Sequence, residues 1–519
     1  MTVQTIAHAA RDLADRAIAA ARALTGDPDE RQVIVEKVAY AATEARVIAE
    51  LVATPAVLAP AAAVAIAELA ASLRHRLDPI APALSLGELR YSDAARTAIA
   101  ELVAPSAVEA IGVAALAGLP AWPLDETLAE VRNNVRAFAE REVAPAAEHI
   151  HRHDELVPER FITEMAKLGY FGLSIPAKYG GFELGNLAMI LTTEELSRAS
   201  LAAAGSLITR PEILAKALLA GGTEAQKQTW LPRLASGEVM AAISVTEPDV
   251  GSDVAQLACR AERVTGGWEI DGAKAWCMFA GRADVIALLA RTGPGGARGL
   301  TLFIVDKPRF TGHEFTASQP GGGTLIGKAD RTLGYRGMHS FSLAFDRWLV
   351  PDGQVVGGDD GVGRGFALQM TGFAAGRLQT GGRACGLAQA ALDHTLAYVA
   401  ARRQFGRPTA EFGLTRYHLG RMASRLVGAR AITYAAAHAM DSDDGARGSD
   451  ANTVAAMAKL FASDVAVEVS QLGQLLHGGW GYAEEYPISR YVADALVLPI
   501  FEGVKPILAL KVIGRALLG

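Results

Sequence analysis

The chain has 519 residues, 50% of them hydrophobic, and a formal net charge of −6. This length allows more than one domain, and the acidic balance excludes a basic stripe of the kind that binds nucleic acid. Pro55, Pro60 and Glu68 interrupt the most apolar stretch, so no uncharged run reaches the ~18 residues of a membrane span. Three widely spaced cysteines predict reduced core residues rather than disulfides or a metal cluster. Because the N-terminus lacks a signal pattern, we expect a cytoplasmic protein that binds neither membranes nor nucleic acid.

The first half of the chain carries helical patterns. Residues 1–116 are rich in alanine with apolar side chains at helical spacing, which predicts a helical N-terminal extension containing a helical hairpin. Two prolines between Gly118 and Pro123 predict a linker. An amphipathic helix then begins at Leu124, and helical spacing continues to about Gly237. We therefore predict an all-α domain over residues 124–238.

The period changes between Met240 and Val350. Short apolar runs and alternating segments predict strands there, and Gly266-Gly267 predicts a hairpin turn. This indicates a β-domain over residues 239–360. Helical spacing returns from about Phe366, over a length that suits a C-terminal four-helix bundle at residues 361–519. The predicted fold class is α+β and multidomain.

One carboxylate, Glu502, lies inside the apolar run Leu498–Val504. Burial disfavours the charged form of a carboxylate and therefore raises its pKa. A raised pKa suits a base that removes a weakly acidic C–H proton. Gly503 follows directly and allows a sharp backbone turn. The alternative is a buried, hydrogen-bonded glutamate at the start of a helix.

A second feature is the segment Val245–Asp253, which leaves the first predicted strand. Its proline and glycine predict a tight loop with exposed N–H groups and hydroxyls, a cradle for a heterocycle or a phosphate. A plain surface turn is the alternative.

This loop resembles the flavin loop of the acyl-CoA dehydrogenase family, and further motifs follow in the family's order. Tyr398–Gly406 resembles the signature of its C-terminal domain, His477–Tyr482 resembles its glycine loop, and Phe501–Gly503 stands where the family keeps its catalytic base. The resemblance covers about residues 124–519. It implies an all-α domain, a β-barrel-like middle domain and a four-helix bundle.

The resemblance also implies ligands and roles. FAD would bind without a covalent bond, the substrate would be an acyl-CoA, and an electron-transfer flavoprotein would accept the electrons. A homodimer or homotetramer would share its flavin sites. Glu502 would take the α-proton while the β-hydrogen leaves as hydride to the flavin, and Gly376, which precedes Arg377, cannot replace Glu502 as base. The implied FAD contacts are Val245, Thr246, Gly251, Ser252, Trp276, Met278, Arg402, Gln404, Phe405, Gly478 and Gly479. The implied substrate contacts are Ser252, Arg377, Arg383, Arg210 and Gly503.

Some positions depart from the family pattern. Met278 stands two residues after Trp276, where a threonine is usual, and its sulfur is only a weak acceptor. Leu475 replaces a glutamine before the glycine loop, and Val504 replaces a polar residue after the base. Flavin affinity and the choice of electron acceptor therefore stay open.

Peripheral segments, including Gly334–Met338 and the spacing of Arg377 and Arg383, resemble the methylsuccinyl-CoA dehydrogenase branch of the family. That branch oxidises a branched C4 dicarboxylic mono-CoA ester to mesaconyl-CoA in the ethylmalonyl-CoA pathway. We assign Arg377 to the coenzyme side and Arg383 or Arg210 to the free carboxylate. A dehydrogenase or oxidase for another short branched acyl-CoA, or a redox-inactive binding protein, remains an alternative.

The segment His149–His153 places three histidines at alternate positions. It ends a predicted helix and precedes two acids, so we interpret it as a solvated helix terminus. No metal site is predicted.

Overall fold

The computed structural model describes residues 2–442 and 449–519. The helices are α1 (Thr2–Ala23), α2 (Gln32–Val52), α3 (Ala59–Leu77), α4 (Asp93–Leu102), α5 (Pro105–Ala117), α6 (Glu126–Phe138), α7 (Ala144–Arg152), α8 (Glu159–Lys167), α9 (Gly185–Ala199), α10 (Thr209–Gly221), α11 (Glu224–Ala235), α12 (Gly365–Ala401), α13 (Gly413–Asp441), α14 (Ser449–His477), α15 (Ile488–Ala495), α16 (Lys505–Ile507) and α17 (Arg515–Leu518). The strands are β1 (Ala241–Ser244), β2 (Arg260–Val264), β3 (Gly267–Met278), β4 (Val285–Arg291), β5 (Leu300–Asp306), β6 (Glu314–Ser318), β7 (Thr324–Ala329), β8 (Ser340–Pro351), β9 (Arg403–Gln404) and β10 (Arg407–Pro408).

The chain divides into two compact units. The first unit combines Met1–Glu130 with Thr380–Gly519, and the second is Val131–Gln379. Helical N-terminal and C-terminal regions around a β-rich middle agree with the predicted α+β fold class. The cysteines, Cys259, Cys277 and Cys385, are buried and free, as predicted.

In the first unit, helices of the N-terminal extension pack on the C-terminal helix α13. The contact between α5 and α13 depends on two glycines. A Cβ atom on Gly112 would lie 1.9 Å from the carbonyl oxygen of Arg416, and one on Gly420 would lie 2.0 Å from that of Val108. Only glycine permits this approach of the two backbones.

Charged side chains also join the extension to the C-terminal helices. Arg421 of α13 pairs with Glu68 of α3 at 3.1 Å and with Glu468 of α14 at 2.8 Å. One guanidinium therefore connects three helices of the first unit.

The apolar helix α3 packs against α2 as the predicted hairpin. Among the described residues, Ala56–Ile80 is long and apolar enough to cross a membrane, and the bent pair Asp93–Leu102 and Pro105–Ala117 passes the same test if counted as one span. Inside the protein, 56% of the apolar window of Ala56–Ile80 is buried, as in the core helices of globular proteins.

The second unit, all of whose residues are described, contains an eight-stranded sheet in the order β1-β4-β2-β3-β8-β7-β6, with β5 paired to β4. The predicted hairpin is present but its turn lies one residue earlier, at Thr265-Gly266, because Val264 of β2 pairs with Gly267, the first residue of β3. The register of β3 on β8 shifts between Lys274 and Cys277. Such a bulge re-aims a side chain, and this one includes Trp276.

Candidate active site

In the first unit, Glu502 occupies a turn between α15 and α16. Its backbone has φ of +54°, and that of Gly503 has φ of +97°. Positive φ is natural for glycine but strained for glutamate. Strain of this kind accumulates at functional sites when the surroundings enforce it.

A lysine on α14 enforces this turn. Lys459 has no exposed surface, and its Nζ donates to the carbonyl oxygens of Phe501 and Gly503, one on each side of Glu502. One helical turn further along, Ser463 Oγ donates to the carbonyl oxygen of Leu498 at 3.3 Å. Residues four apart on a helix lie on one face. That face of α14 therefore fixes the backbone around Glu502.

The expected enclosure of Glu502 was wrong. The side chain is half-buried, and the nearby Ile500 is 60% exposed. The alternative, a helix start, does not fit either, since α16 begins only at Lys505. The apolar residues around Glu502 are divided between the interior and the surface, because the chain forms a turn there and has no regular helix or strand periodicity.

Arg383 is also part of this region of the first unit. It has no exposed surface, its Nη2 donates to Thr380 Oγ1 at 2.8 Å, and its guanidinium lies 4.5 Å from the centre of the Phe501 ring. A cation over an aromatic face is a favourable packing contact. The contacts of Arg383 are therefore those of a residue that supports the base turn. Arg377, on the same helix but in the second unit, is nine-tenths buried.

In the second unit, the segment Val245–Asp253 forms the predicted tight loop. The N–H groups of Glu247 and Val250 donate to each other's carbonyl oxygens at 2.9 and 3.2 Å. The carbonyl oxygen of Thr246 accepts from the N–H of Ala275 at 2.8 Å, so the loop lies against β3. Gly251 and Ser252 are exposed at its tip.

A buried ion pair fixes this loop. Lys274, with no exposed surface, donates to the carbonyl oxygen of Val245 and to Glu247 Oε1, both at 2.9 Å. Glu247 also accepts from the N–H groups of Ala258 at 2.7 Å and Cys259 at 2.9 Å. Buried charges are tolerated when they are paired and hydrogen-bonded in this way.

The bulge in β3 presents Trp276 to the surface. Trp276 has φ of +58° and is 56% exposed. The neighbouring Cys277 is fully buried, and burial raises the pKa of its thiol to about 12, so it is inert as a nucleophile. An indole on the surface of a unit with a well-filled core is available to a planar ring.

Met278 lies on the same strand, and its sulfur is in contact with a hydrogen-bond donor. Arg210 Nη2, from the start of α10, lies 2.9 Å from Met278 Sδ. Arg210 is only 2% exposed. The sequence placed these residues in separate roles, whereas the structure places a cation directly beside the segment predicted to contact the flavin.

The other predicted FAD residues lie on exposed segments of the first unit. Arg402 and Gln404 belong to the first arm of a two-stranded hairpin whose tip, Phe405, is 94% exposed with φ of +52°. An extended tip of this kind suits contact with another molecule or subunit.

The glycine loop begins where α14 ends. His477 Nδ1 contacts the carbonyl oxygen of Gly473 at 2.7 Å, and its ring stacks on Tyr398 at 4.1 Å between centres. Burial lowers the pKa of His477. Gly478 and Gly479 are exposed, and no atom lies within 4 Å of a Cβ built on either. Leu475, one of the departures from the family pattern, is 74% exposed.

These residues fit FAD. The space above Gly478 and Gly479 and the exposed hairpin at Arg402 suit the diphosphate and adenosine part, because arginine's planar donor fork matches phosphate oxygens. The fixed loop at Thr246 and the exposed Trp276 suit the isoalloxazine ring. The predicted FAD contacts are thus divided between the two units, and each group presents the chemistry that FAD requires.

Sequence reasoning missed Lys459 and Lys274. Lys459 is the single charge in the otherwise apolar segment 454–462 of α14, and a lone charge in an apolar run is the signal that identified Glu502. Lys274 stands in an alternating strand where a lysine is unremarkable, so no pattern in the sequence marks it.

Three domain families match the chain. They are the acyl-CoA dehydrogenase N-terminal domain at residues 125–238, the middle domain at residues 242–348 and the C-terminal domain at residues 363–518.

Individual proteins show the same relationship. The chain is 40% identical over 398 residues to (2S)-methylsuccinyl-CoA dehydrogenase of Cereibacter sphaeroides, covering 76% of this chain and 70% of that protein. It is 36% identical to an acyl-CoA dehydrogenase of Bacillus subtilis (strain 168), covering 75% and 97% of the two chains. Among solved structures, butyryl-CoA dehydrogenase from Megasphaera elsdenii aligns with a TM-score of 0.69 at 29% identity, covering 77% of this chain and all of the other. The chain therefore belongs to the acyl-CoA dehydrogenase family of FAD-dependent oxidoreductases, whose substrates are acyl-CoA thioesters.

Proposed function

We propose that this enzyme oxidises the α,β bond of a short branched acyl-CoA whose tail carries a free carboxylate, with (2S)-methylsuccinyl-CoA, converted to mesaconyl-CoA, as the best candidate. The observation that carries the proposal is Arg210, a nearly fully buried cation whose guanidinium contacts Met278 beside Trp276. The 40% identity to a (2S)-methylsuccinyl-CoA dehydrogenase supports the same substrate.

Glu502 is the proposed base. Its carboxylate accepts the α-proton of the thioester, which is acidified by the adjacent carbonyl group. The N–H of Glu502 is the proposed donor to the thioester oxygen, where negative charge develops as the proton leaves. Lys459 holds the backbone on both sides of this donor, so the N–H is oriented before substrate binds. Bound FAD supplies the hydride-accepting chemistry.

We assign FAD binding to the residues predicted from the sequence, with Arg402 and Gln404 donated by a partner subunit of a homodimer or homotetramer. Their exposure on a protruding hairpin supports that assignment. An electron-transfer flavoprotein is the proposed acceptor. Arg402→Ala is expected to purify depleted of FAD, and full occupancy with unchanged FAD affinity would contradict the shared site.

The carboxylate partner is Arg210 in preference to Arg383. Arg383 donates to the Thr380 hydroxyl and packs on the Phe501 ring, which are contacts that support the base turn. Arg210 contacts the Met278 sulfur beside the segment predicted to bind the flavin, and a carboxylate is a stronger acceptor for a guanidinium than a thioether sulfur is.

The test compares methylsuccinyl-CoA with 2-methylbutanoyl-CoA, in which a methyl group replaces the carboxylate. A site that binds a charge should favour the charged ester by at least ~10²-fold in kcat/KM. Arg210→Met should abolish this preference while sparing the neutral ester. Arg282→Met is the matched control, because Arg282 pairs with Glu159 and Asp284.

Equal kcat/KM on both esters in the parent enzyme would contradict the carboxylate site and leave a general branched-chain dehydrogenase. Assays with oxygen and with an artificial acceptor distinguish an oxidase from a dehydrogenase. A purified protein with bound acyl-CoA but no turnover with any acceptor would support the redox-inactive alternative.

A further inference from the structure

Three ligating side chains converge in the second unit, in segments that contain none of the predicted FAD contacts. Asp154 follows α7, His313 precedes β6, and His339 precedes β8. One ligand atom of each lies within 4.8 Å of those of the others. His339 is almost fully buried, whereas His313 is exposed, so the cluster opens to solvent on one side.

Two contacts within this cluster involve the same atom, Nε2 of His339. Nε2 of His339 lies 3.1 Å from Nε2 of His313 and 3.1 Å from Oδ1 of Asp154. A neutral imidazole nitrogen is either a donor or an acceptor. If His339 Nε2 carries the proton and donates to Asp154, the same nitrogen cannot accept from His313. If instead it accepts from His313, its lone pair points toward the Asp154 carboxylate, which is unfavourable. A cation between the three atoms satisfies all of them at once.

The backbone holds the ligands in place without a bound ion. Asp154 and His339 have positive φ, +56° and +43°. The carbonyl oxygen of His313 accepts from the N–H of Ala329 at 2.7 Å, and the carbonyl oxygen of Gly337 accepts from the N–H of Val157 at 3.0 Å. The first hydrogen bond joins the start of β6 to the end of β7, and the second joins the segment after α7 to the residues before β8. Preorganised ligands bind metal more strongly than mobile ones.

We propose that Asp154, His313 and His339 bind a divalent transition-metal ion, with zinc the best fit. Imidazole nitrogen and carboxylate oxygen are zinc ligands, and bonds of ~2.0–2.1 Å in a tetrahedron place ligand atoms ~3.3 Å apart. The two separations from His339 Nε2, both 3.1 Å, need only a small expansion, and the ligand atoms of His313 and Asp154 lie within 4.8 Å of each other. Three protein ligands leave a fourth position for water on the exposed side.

Arg336 lowers the affinity of this site for a cation. Its Nε lies 3.4 Å from Asp154 Oδ1, and its Nη1 donates to the carbonyl oxygen of His151 at 3.0 Å. A positive charge beside one ligand weakens cation binding. The bound metal crosslinks the end of α7 to the sheet and is independent of the acyl-CoA chemistry.

The experiment measures Zn²⁺ binding to the chelator-treated, FAD-loaded full-length enzyme by equilibrium dialysis and metal analysis. We expect one Zn²⁺ per chain. His313→Gln and Asp154→Asn should each weaken binding at least ~10-fold, and asparagine tolerates the positive φ at position 154. Arg336→Gln should strengthen binding.

The matched control is His149→Gln, since His149 is an exposed histidine that contacts Glu155 and the His153 ring outside the cluster. It should leave Zn²⁺ affinity unchanged. The proposal is overturned if the parent binds no more Zn²⁺ than His313→Gln does, or if His149→Gln lowers binding as much as His313→Gln. Weaker binding by Arg336→Gln would remove Asp154 from the ligand set.

Discussion

Two fully buried lysines support the two segments that carry the proposed chemistry, and they do so differently. Lys459 in the first unit binds main-chain carbonyl oxygens on both sides of Glu502. Lys274 in the second unit binds the carbonyl oxygen of Val245 and the carboxylate of Glu247, on both sides of Thr246. The first lysine fixes a turn by donating to backbone carbonyl oxygens, whereas the second also pairs with a charged side chain of the loop itself. The same residue type therefore positions a base in one region and anchors a ligand loop in the other.

Removing the base should have the largest effect. Glu502→Gln keeps the size of the side chain but cannot accept the proton, so kcat should fall by ~10²–10⁴-fold. FAD content should match the parent, because the change leaves the flavin loop intact. Flavin absorbance and steady-state turnover measure both quantities. Turnover within a few-fold of the parent would remove Glu502 from the mechanism.

Breaking the loop's ion pair should have the next largest effect. Lys274→Met leaves Glu247 charged and buried, and the free energy of unfolding should fall by ~3–5 kcal/mol. The FAD dissociation constant should rise, while turnover per bound FAD stays near that of the parent. Thermal unfolding and flavin titration provide the readouts.

Two variants sharpen that prediction. Adding Glu247→Gln to Lys274→Met should restore part of the lost stability, because the buried charge is removed. Lys328→Met serves as the control, since Lys328 pairs with Glu314 at the surface of the same sheet. A double variant no more stable than the single one would show that packing, rather than charge, holds the loop.

Lys459→Met should lower turnover and leave FAD affinity unchanged, which is the reverse of the effect expected for Lys274→Met. Losing the donors to the carbonyl oxygens of Phe501 and Gly503 lets the strained turn relax, and kcat should fall by ~10-fold through loss of orientation. FAD affinity should not change. Lys505→Met is the control, because Lys505 pairs with Asp464. Should Lys459→Met release FAD while sparing kcat per flavin, the contrast between the two lysines would be wrong.

A small pH effect is expected at the glycine loop. Burial lowers the pKa of His477 below its unfolded value, so the unfolded state binds more protons between these two values. Stability is complete above ~6.5 and decreases as the pH falls toward the folded value. Melting temperatures should therefore be lower at mildly acidic pH than at neutral pH. His477→Gln should reduce the pH dependence, and an unchanged pH profile in that variant would exclude His477 as its source.

The sequence predicted elements and motifs with local signals. The β2–β3 hairpin forms within one residue of the predicted glycine pair, and the loop after β1 has its predicted tight turn. Periodicity and turn residues are local, so they can be read directly from the chain.

Long-range contacts could not be predicted in this way. Lys459 contacts a carbonyl 42 positions away, and Arg210 contacts a sulfur 68 positions away. The half-buried position of Glu502 and the buried setting of Arg383 also depend on how distant helices pack. A hydrophobic run indicates that a segment has an apolar environment, but it does not say which side chain of a turn faces outward.

The glycine contact between α5 and α13 has a consequence for biosynthesis. Gly112 and Gly420 belong to chain segments that flank the whole of the second unit. During translation the extension emerges first, and its partner helix appears only after the intervening domain has been made. Contacts between such distant segments form late, and the surface that awaits them is exposed to aggregation in the meantime. The first unit therefore completes its fold after the second, once the ribosome has released the C-terminal helices.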